Sequence, residues 1–379
     1  MIEYFVVYAA LWSLAVAHSF RPERKTNLFF WTQGALLTCF AALRFETGYD
    51  WPVYAAHYNG DFNSIGFEPG YELLVSLFVR CGVPFKYYVS IVSVAMVVAI
   101  MAILKRVTPK YKELALAIAF AMPDIFLIPV FSVIRQTISL LILLLGTVCW
   151  QSSRRKVGGG LIVFSFLVHY STGFIFFLVL LFRRLRLTNR TYVALLLFFS
   201  LCYVLSIDVL GIFLKILINL IVPNYSYYLD KDTFNASIFY RLFTAVVTAL
   251  IFGLVIKSQG GDKTDAADKG SFARHAALLA LLLPILLFNF PTFTSRFLFM
   301  GAFFILGYSL YCVHEIFYVT RMLSCLVLSA VLVVPFYRFL SSPFSSPYVP
   351  YQSMLVYDEK NSTGGERTQE LLDMLDSLW

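Results

Sequence analysis

The chain predicts an all-α, polytopic transmembrane bundle of about 10–13 helices, some of them broken or re-entrant. Three observations predict it. Hydrophobic residues make up 59% of the 379 positions, charged residues only 14%, and mean hydropathy is +0.76; an ordinary soluble domain carries about a quarter charged residues. The apolar runs reach the roughly 20 residues that a membrane helix needs, and they do not alternate as barrel strands do. Between them lie short basic loops, which act as orientation signals.

Taken in order, the apolar segments fall near 3–20, 27–43, 87–104, 114–130, 131–150, 160–182, 191–210, 237–256, 273–290, 297–313 and 322–340. The first lacks a basic leader and a small-residue cleavage site, so it reads as a retained helix. The basic loops are 21–25, 105–112, 152–156, 183–190 and 257–274. The positive-inside rule places them in the cytoplasm and the N-terminus outside. Residues 157–182 lie between two basic loops and are long for one span but short for two. Their middle holds His169, Tyr170, Ser171, Thr172 and Gly173. A pair of short helices broken at His169 resolves this, and such backbone is tolerated where it is buried or lines a watery cavity. Residues 70–83 are too short for an ordinary span and fit an outer-face helix or half-helix. Glu68, Pro69 and Gly70 mark its start, with proline in the first turn and Glu68 placed to cap the amides.

Residues 1–340 therefore form the transmembrane domain, with outer loops at 44–70 and 211–236. Within the second loop, residues 211–222 read as an interfacial helix and the following residues as a solvated loop. Residues 341–379 form a polar C-terminal tail on the outer side, ending in a short amphipathic helix. The formal charge of +8 is carried largely by the basic loops and requires no nucleic-acid partner. The 38 Phe and 23 Tyr fit lipid-facing and interfacial surfaces, and can also serve as stacking platforms for sugars. The six cysteines sit in or beside apolar segments, at no metal-ligand or disulfide spacing. No pattern resembles a zinc site, a phosphate-binding glycine loop or a Ser–His–Asp triad.

Several ionisable residues interrupt or border the apolar runs: Arg135, His169, Arg241 and Arg296. A charge at the bilayer centre costs roughly 2.5–3.5 kcal/mol on insertion scales, so such residues usually face a cavity or a partner. With Arg44 and Asp50 they all fall near the outer face set by the basic loops. The positive sign suits an anionic ligand. Arg135 offers the planar donor fork that matches phosphate, or else is satisfied by a carboxylate or helix-end carbonyls. Arg296 follows a Pro/Thr-rich break where a helix start adds amide dipoles. Arg241 fits either anion binding or interfacial snorkelling. Arg44 and Asp50 fit a site or a plain ion pair in a solvated loop. His169 suits a general base near neutral pH, or a strut for the broken helix. His18, His275 and His314 lie toward the cytoplasmic side and take structural readings, and His57 falls in the outer loop as a solvated residue.

In order along the chain, Arg44-Phe45-Glu46-Thr47-Gly48-Tyr49-Asp50 with Tyr54, Glu68-Pro69-Gly70-Tyr71-Glu72-Leu73-Leu74, Ile134-Arg135-Gln136, His169-Tyr170-Ser171-Thr172, Arg296 and Tyr348-Val349-Pro350-Tyr351 resemble the EpsG/Wzy-type family of bacterial polysaccharide polymerases. The large outer loops of some O-antigen polymerases are missing. The resemblance implies a metal-independent, cofactor-free glycosyltransferase of GT-C-like build in the bacterial cytoplasmic (inner) membrane, with its site facing outward. It implies that a hydroxyl of one undecaprenyl-diphosphate-linked repeat unit attacks the anomeric carbon of another, with undecaprenyl diphosphate leaving. Arg135 and Arg296, then Arg241 and Arg44, would hold the diphosphate. His169 or Asp50 would take the proton, and Tyr49 and Glu68 would contact substrate. A flippase and a chain-length regulator are the implied partners, with the lipid bilayer. Two other readings use the same cationic residues: a flippase or exporter for lipid-linked sugars, and an O-antigen-ligase-like transferase.

Overall fold

The structure is a computed structural model. It describes all residues except 21–26, 61–65, 153, 186, 210–236, 259–265, 290, 317–318, 358–364 and 378–379. The expected interfacial helix and loop at 211–236 thus lie outside the described residues, as do the basic residues 21–25. Sixteen α-helices and no strand occur among the described residues. The helices fall into two compact units, residues 1–173 with 319–379, and residues 174–318.

The first unit opens with α1 (Ile2–Ser19) and α2 (Leu28–Ala42), followed by α3 (Trp51–Asn59), α4 (Pro69–Arg80), α5 (Phe85–Val107) and α6 (Lys112–Ala121). From Glu113 to Ala121 every residue of α6 is buried. A helix that is apolar all round belongs at a core, and α1, α2, α5 and the later α15 (Arg321–Leu340) pack around it. The run 114–130, expected as one span, breaks after Ala121. Pro123 lacks an N–H and biases Met122 to extended backbone (ψ 103°), which ends the helix. The short α7 (Leu127–Phe131) follows, and α8 (Ile134–Gln151) then runs along α9 (Arg155–Val168).

The expected interruption at His169 is present. This residue has extended backbone (φ −159°, ψ 115°), and α10 (Tyr170–Arg184) restarts immediately after it. The predicted start at Pro69 is also present, with Glu68 as the N-cap residue of α4. The Glu68 side chain makes no capping hydrogen bond, however. Its carboxylate has stronger partners elsewhere.

The second unit contains most of α10, then α11 (Asn189–Val204), α12 (Ile238–Lys257), α13 (Ala266–Leu286) and α14 (Pro291–Tyr311), which ends in a π-turn at Cys312–Ile316. The chain returns to the first unit with α15. By length and composition, α1, α5, α12 and α15 can each cross a membrane, and shorter apolar helices accompany them. Their outward faces carry exposed large apolar side chains such as Val98, Leu250 and Val334, which marks this as a membrane protein. All six cysteines are unpaired.

The segment after α15, expected as a polar tail, folds back on the first loop. The Phe45 N–H donates to Gln352 O at 2.8 Å, the Met354 N–H to Leu43 O at 2.7 Å, and the Gly48 N–H to Pro347 O at 3.0 Å. The Tyr4 hydroxyl donates to Tyr348 O at 2.7 Å, and Tyr348 is fully buried. Beyond lies the expected terminal amphipathic helix, α16 (Glu366–Ser377). Arg367 fastens it by donating to Pro350 O (2.9 Å), Gln352 Oε1 (2.7 Å) and Glu46 O.

Gly70 sets the distance between α4 and α9. A Cβ there would lie 2.7 Å from the Leu167 carbonyl carbon and 2.8 Å from Val168 N. Both are backbone atoms and cannot rotate away. Gly70→Ala is expected to push α4 off α9 and lower stability by about 1–3 kcal/mol, read as a lower thermal midpoint of the purified protein in detergent. An unchanged midpoint would show that this contact is not close in solution.

Candidate active site

The first loop turns against the α7–α8 corner through Gly48. Its φ of +114° suits glycine, and a Cβ would fall 2.2 Å from Phe131 O. The close approach lets the Tyr49 N–H donate to Ser132 Oγ at 2.8 Å. Ser132 Oγ also hydrogen-bonds the Tyr348 hydroxyl. The Tyr49 hydroxyl donates to Phe344 O at 2.8 Å, so this phenol serves the tail contact. Arg44 is 1% exposed; it donates to Val130 O and lies 4.6 Å from the centre of the Phe131 ring. Its Nε and Nη2 have no hydrogen-bond partner among the described residues. The guanidinium is sealed beneath the loop and clamps it to α7.

Asp50 is the N-cap residue of α3 and makes no side-chain capping bond. One turn later, Tyr54 presents its hydroxyl to the first turn of α8, where it accepts the Arg135 N–H at 3.4 Å. That amide is one of the helix-end donors that α8 itself cannot satisfy. Asp50 is thus joined through α3 to the segment that carries Arg135.

The close contact of α4 with α9 brings Glu68 to the His169 break. Glu68 Oε2 lies 2.6 Å from Arg135 Nη1, and Glu68 Oε1 lies 2.6 Å from His169 Nδ1. One carboxylate therefore bridges the two groups read from the sequence as anion binder and base. The Glu68 and His169 side chains are 5% and 6% exposed, whereas Arg135 is 24% exposed. Arg135 is the most exposed of the three. Its guanidinium lies 4.0 Å from the Phe67 ring centre and 5.8 Å from that of Tyr71, an arrangement that favours a cation over the ring face. His57, expected in a solvated loop, stands on α3 instead. It packs edge-on to Phe67 at 4.2 Å, with its Nε2 3.3 Å from Glu72 Oε1. Glu72 Oε1 also accepts the Phe67 N–H at 3.2 Å, which fixes the ring under Arg135.

The break itself is braced from α8. Ser139 Oγ lies 2.6 Å from Ser165 O and 2.7 Å from Thr172 Oγ1, on either side of His169. The extended residue thus keeps a fixed direction.

Glu68 lies in the loop before α4, outside the long apolar helices. Burial alone would raise its pKa. The hydrogen bond and charge of His169 and the charge of Arg135 overcome this and hold it at about 2. An ionised carboxylate is acceptor-only, so His169 Nδ1 must carry the proton it donates. In the neutral ring Nε2 then holds the lone pair. The arrangement fixes the tautomer, as the carboxylate does in acyl-transfer triads. Arg135, 24% exposed, keeps donors beyond the one it gives to Glu68.

Of the expected set, Glu68, Arg135 and His169 meet directly. Arg44 and Tyr49 join the same corner from the loop side. Arg241 belongs to the second unit, half-buried, with Nη1 donating to Tyr203 O at 3.4 Å. Arg296 is on α14, but its side chain lies outside the described residues. The sequence reading missed Phe67 and Ser132. It also missed the Glu72–His57 pair, although Glu72 sits four residues after Glu68 and so shares its helix face. In the second unit, Asn289 Nδ2 donates to Asp208 Oδ2 at 2.8 Å, another polar contact not anticipated.

A family model described as "EpsG family" matches residues 27–353. Comparison with curated proteins gave no match, and comparison with solved structures gave none. The matched stretch contains α2 to α15, the whole Glu68–Arg135–His169 cluster and the returning Tyr348–Tyr351 segment. The chain belongs to the EpsG family, a family associated with glycosyltransferase-like polymerases.

Proposed function

We propose that this protein is a polysaccharide polymerase that joins undecaprenyl-diphosphate-linked repeat units at the outer face of the cytoplasmic membrane. The observation that carries the reading is the Glu68 carboxylate shared between Arg135 and His169. Glycosyl transfer needs a base for the acceptor hydroxyl and a cation for the departing diphosphate. In this reading His169 Nε2 takes the hydroxyl proton, and Glu68 stabilises the imidazolium that results. Arg135 meets the diphosphate with its donor fork, in a site of low dielectric where a fixed donor acts strongly. Family membership supports the reaction class. The basic loops support the orientation. Arg241 and Arg296 are further diphosphate contacts in this reading, and Asp50 is a second base. Arg44 and Tyr49 position the first loop. A flippase delivers the units, and a chain-length regulator is a partner.

Arg135→Ala is expected to reduce polymerisation of purified lipid-linked units by about 10²–10³-fold, the effect of removing one preorganised donor, while the protein still elutes as a folded species. Arg296→Ala should also shorten or abolish polymer, and normal chain length in both variants would refute the polymerase reading. If longer glycans never form but lipid-linked units cross the membrane, the chain is a flippase. If glycan moves only onto a second acceptor, it is a ligase.

Glu68→Gln places an amide beside His169 Nδ1 and disturbs the tautomer. Its expected cost in turnover is about 10²–10⁴-fold, comparable with losing the base in His169→Ala. The depressed Glu68 pKa also sets a pH window. The stability contributed by ionised Glu68 is fully present above its ordinary 4.5 and is lost as pH falls through about 2. Acid unfolding of the wild type should therefore show a step in that interval which Glu68→Gln lacks. A step of the same size in both proteins would mean that Glu68 is not held by its two partners.

A further inference from the structure

One carboxylate of the first unit is exposed although its chain neighbours are buried. Every residue from Glu113 to Ala121 is buried, as are Pro123 and Ile125 to Leu127, yet Asp124 among them is exposed. Two hydrogen bonds fix the turn that carries it. The Ile125 N–H donates to Met122 O at 2.9 Å, and the Ile128 N–H donates to Pro123 O at 2.9 Å. Among the described residues no hydrogen bond or ion pair takes up the Asp124 carboxylate, and no charge of the Glu68 cluster acts on it.

The depth of this residue follows from α6. That helix begins at Lys112, in a basic loop that marks one membrane surface. Its 10 residues cover about 14 Å at roughly 1.5 Å per residue. The hydrocarbon core is roughly 30 Å thick, so Asp124 falls toward its middle. A bare carboxylate at that depth is costly against lipid, so it borders a watery cavity. Tyr49 of the first loop is near enough for the Asp124 charge to act on its phenol. Burial, then that charge, pushes the Tyr49 pKa up, so the phenol stays protonated and keeps its 2.8 Å bond to Phe344 O. Aromatic rings gather at this phenol. Tyr348 lies edge-on to Tyr49 at 5.1 Å, and Phe344 is 50% exposed.

We propose that Asp124 binds sugar hydroxyls of the lipid-linked glycan, at a subsite away from the diphosphate. The identity of this ligand rests on the polymerase reading. An unpaired carboxylate accepts charge-assisted hydrogen bonds from hydroxyls. Aromatic side chains with a few placed polar groups are the usual lining of a small-molecule site. The same negative charge repels a diphosphate, which leaves that group to Arg135. A hard divalent cation would need several oxygen ligands, and among the described residues no group of three or more His, Cys, Asp or Glu gathers to hold one. Asp124 and Arg135 flank one short segment, and Ser132 between them accepts the Tyr49 N–H at 2.8 Å. The glycan and its diphosphate would thus be held from the same corner.

The test labels carboxyl groups of the full chain in nanodiscs with a water-soluble carbodiimide and glycine methyl ester, read by peptide mass spectrometry. Asp124 should take the label, while Glu68, buried and doubly paired, should not. The probe ligand is the free oligosaccharide released by mild acid from the producing cell's own polymer. At saturation it should protect Asp124. An unlabelled Asp124, or labelling that the oligosaccharide leaves unchanged, would overturn the subsite, and neither measurement needs a variant. Protection by sodium or potassium chloride but not by choline chloride would make the ligand a cation and would also overturn it. By titration calorimetry, Asp124→Asn should bind the oligosaccharide roughly ten-fold more weakly, the loss of one charge-assisted hydrogen bond. Equal affinity in a variant with an unchanged thermal midpoint would count against the proposal. A wild type that polymerises lipid-linked units without protection of Asp124 sinks the subsite and leaves the polymerase reading standing. Protection in a protein that makes no polymer does the reverse.

Discussion

A single carboxylate organises the candidate site of this protein. Glu68 sits at the start of a short helix, and three features bring it to its partners: the extended His169, the first turn of α8 and the absent side chain of Gly70. A buried carboxylate without partners would be costly, and its proton would return. Two positive or proton-bearing partners at 2.6 Å keep it ionised. In turn it directs the histidine's proton to Nδ1 and turns one edge of the arginine inward. Removing Glu68 would leave His169 and Arg135 without the group that orients both.

The rest of the first unit keeps that geometry rigid. The His169 break is fixed by Ser139 from the neighbouring helix. The Arg135 turn is held by Tyr54 from α3, and the ring beneath its guanidinium is fixed by Glu72 and His57. On the other side of the α7–α8 corner, the first loop and the returning tail interlock through Ser132, Tyr348 and Gly48. Arg44 spends its charge inside this interlock, over Phe131 and toward a backbone carbonyl. Two arginines close in kind therefore have different settings. Arg135 is partly exposed with a carboxylate, and Arg44 is sealed among rings. A charge sealed in this way ties a loop down but has no route to a ligand.

The two ends of the first unit contrast in charge. At the Glu68 end a carboxylate, an arginine and a histidine nearly balance, and one guanidinium reaches outward. At the Glu113 end the carboxylate is buried between Lys112 and His18. The first arrangement suits charge that develops during a reaction, where fixed donors stabilise a leaving group.

Local signals were sufficient for the all-α membrane architecture, the helix start at Pro69, the break at His169 and the terminal amphipathic helix. Hydropathy, proline geometry and residue period act over a few positions, so they are readable in the chain. The break after Ala121 was equally local, at Pro123, but the continuous apolar run around it hid it. What only the tertiary structure decided was partnership. Glu68 meets Arg135 across 67 positions and His169 across 101, and no short-range rule selects those partners over Asp50 or Glu46. The same holds for Arg44, which sequence alone cannot tell apart from Arg135, and for the tail, whose polar composition suits solvent until Tyr348 finds a cavity. Burial depends on which distant surfaces close over a residue, and that is fixed by packing of the whole unit.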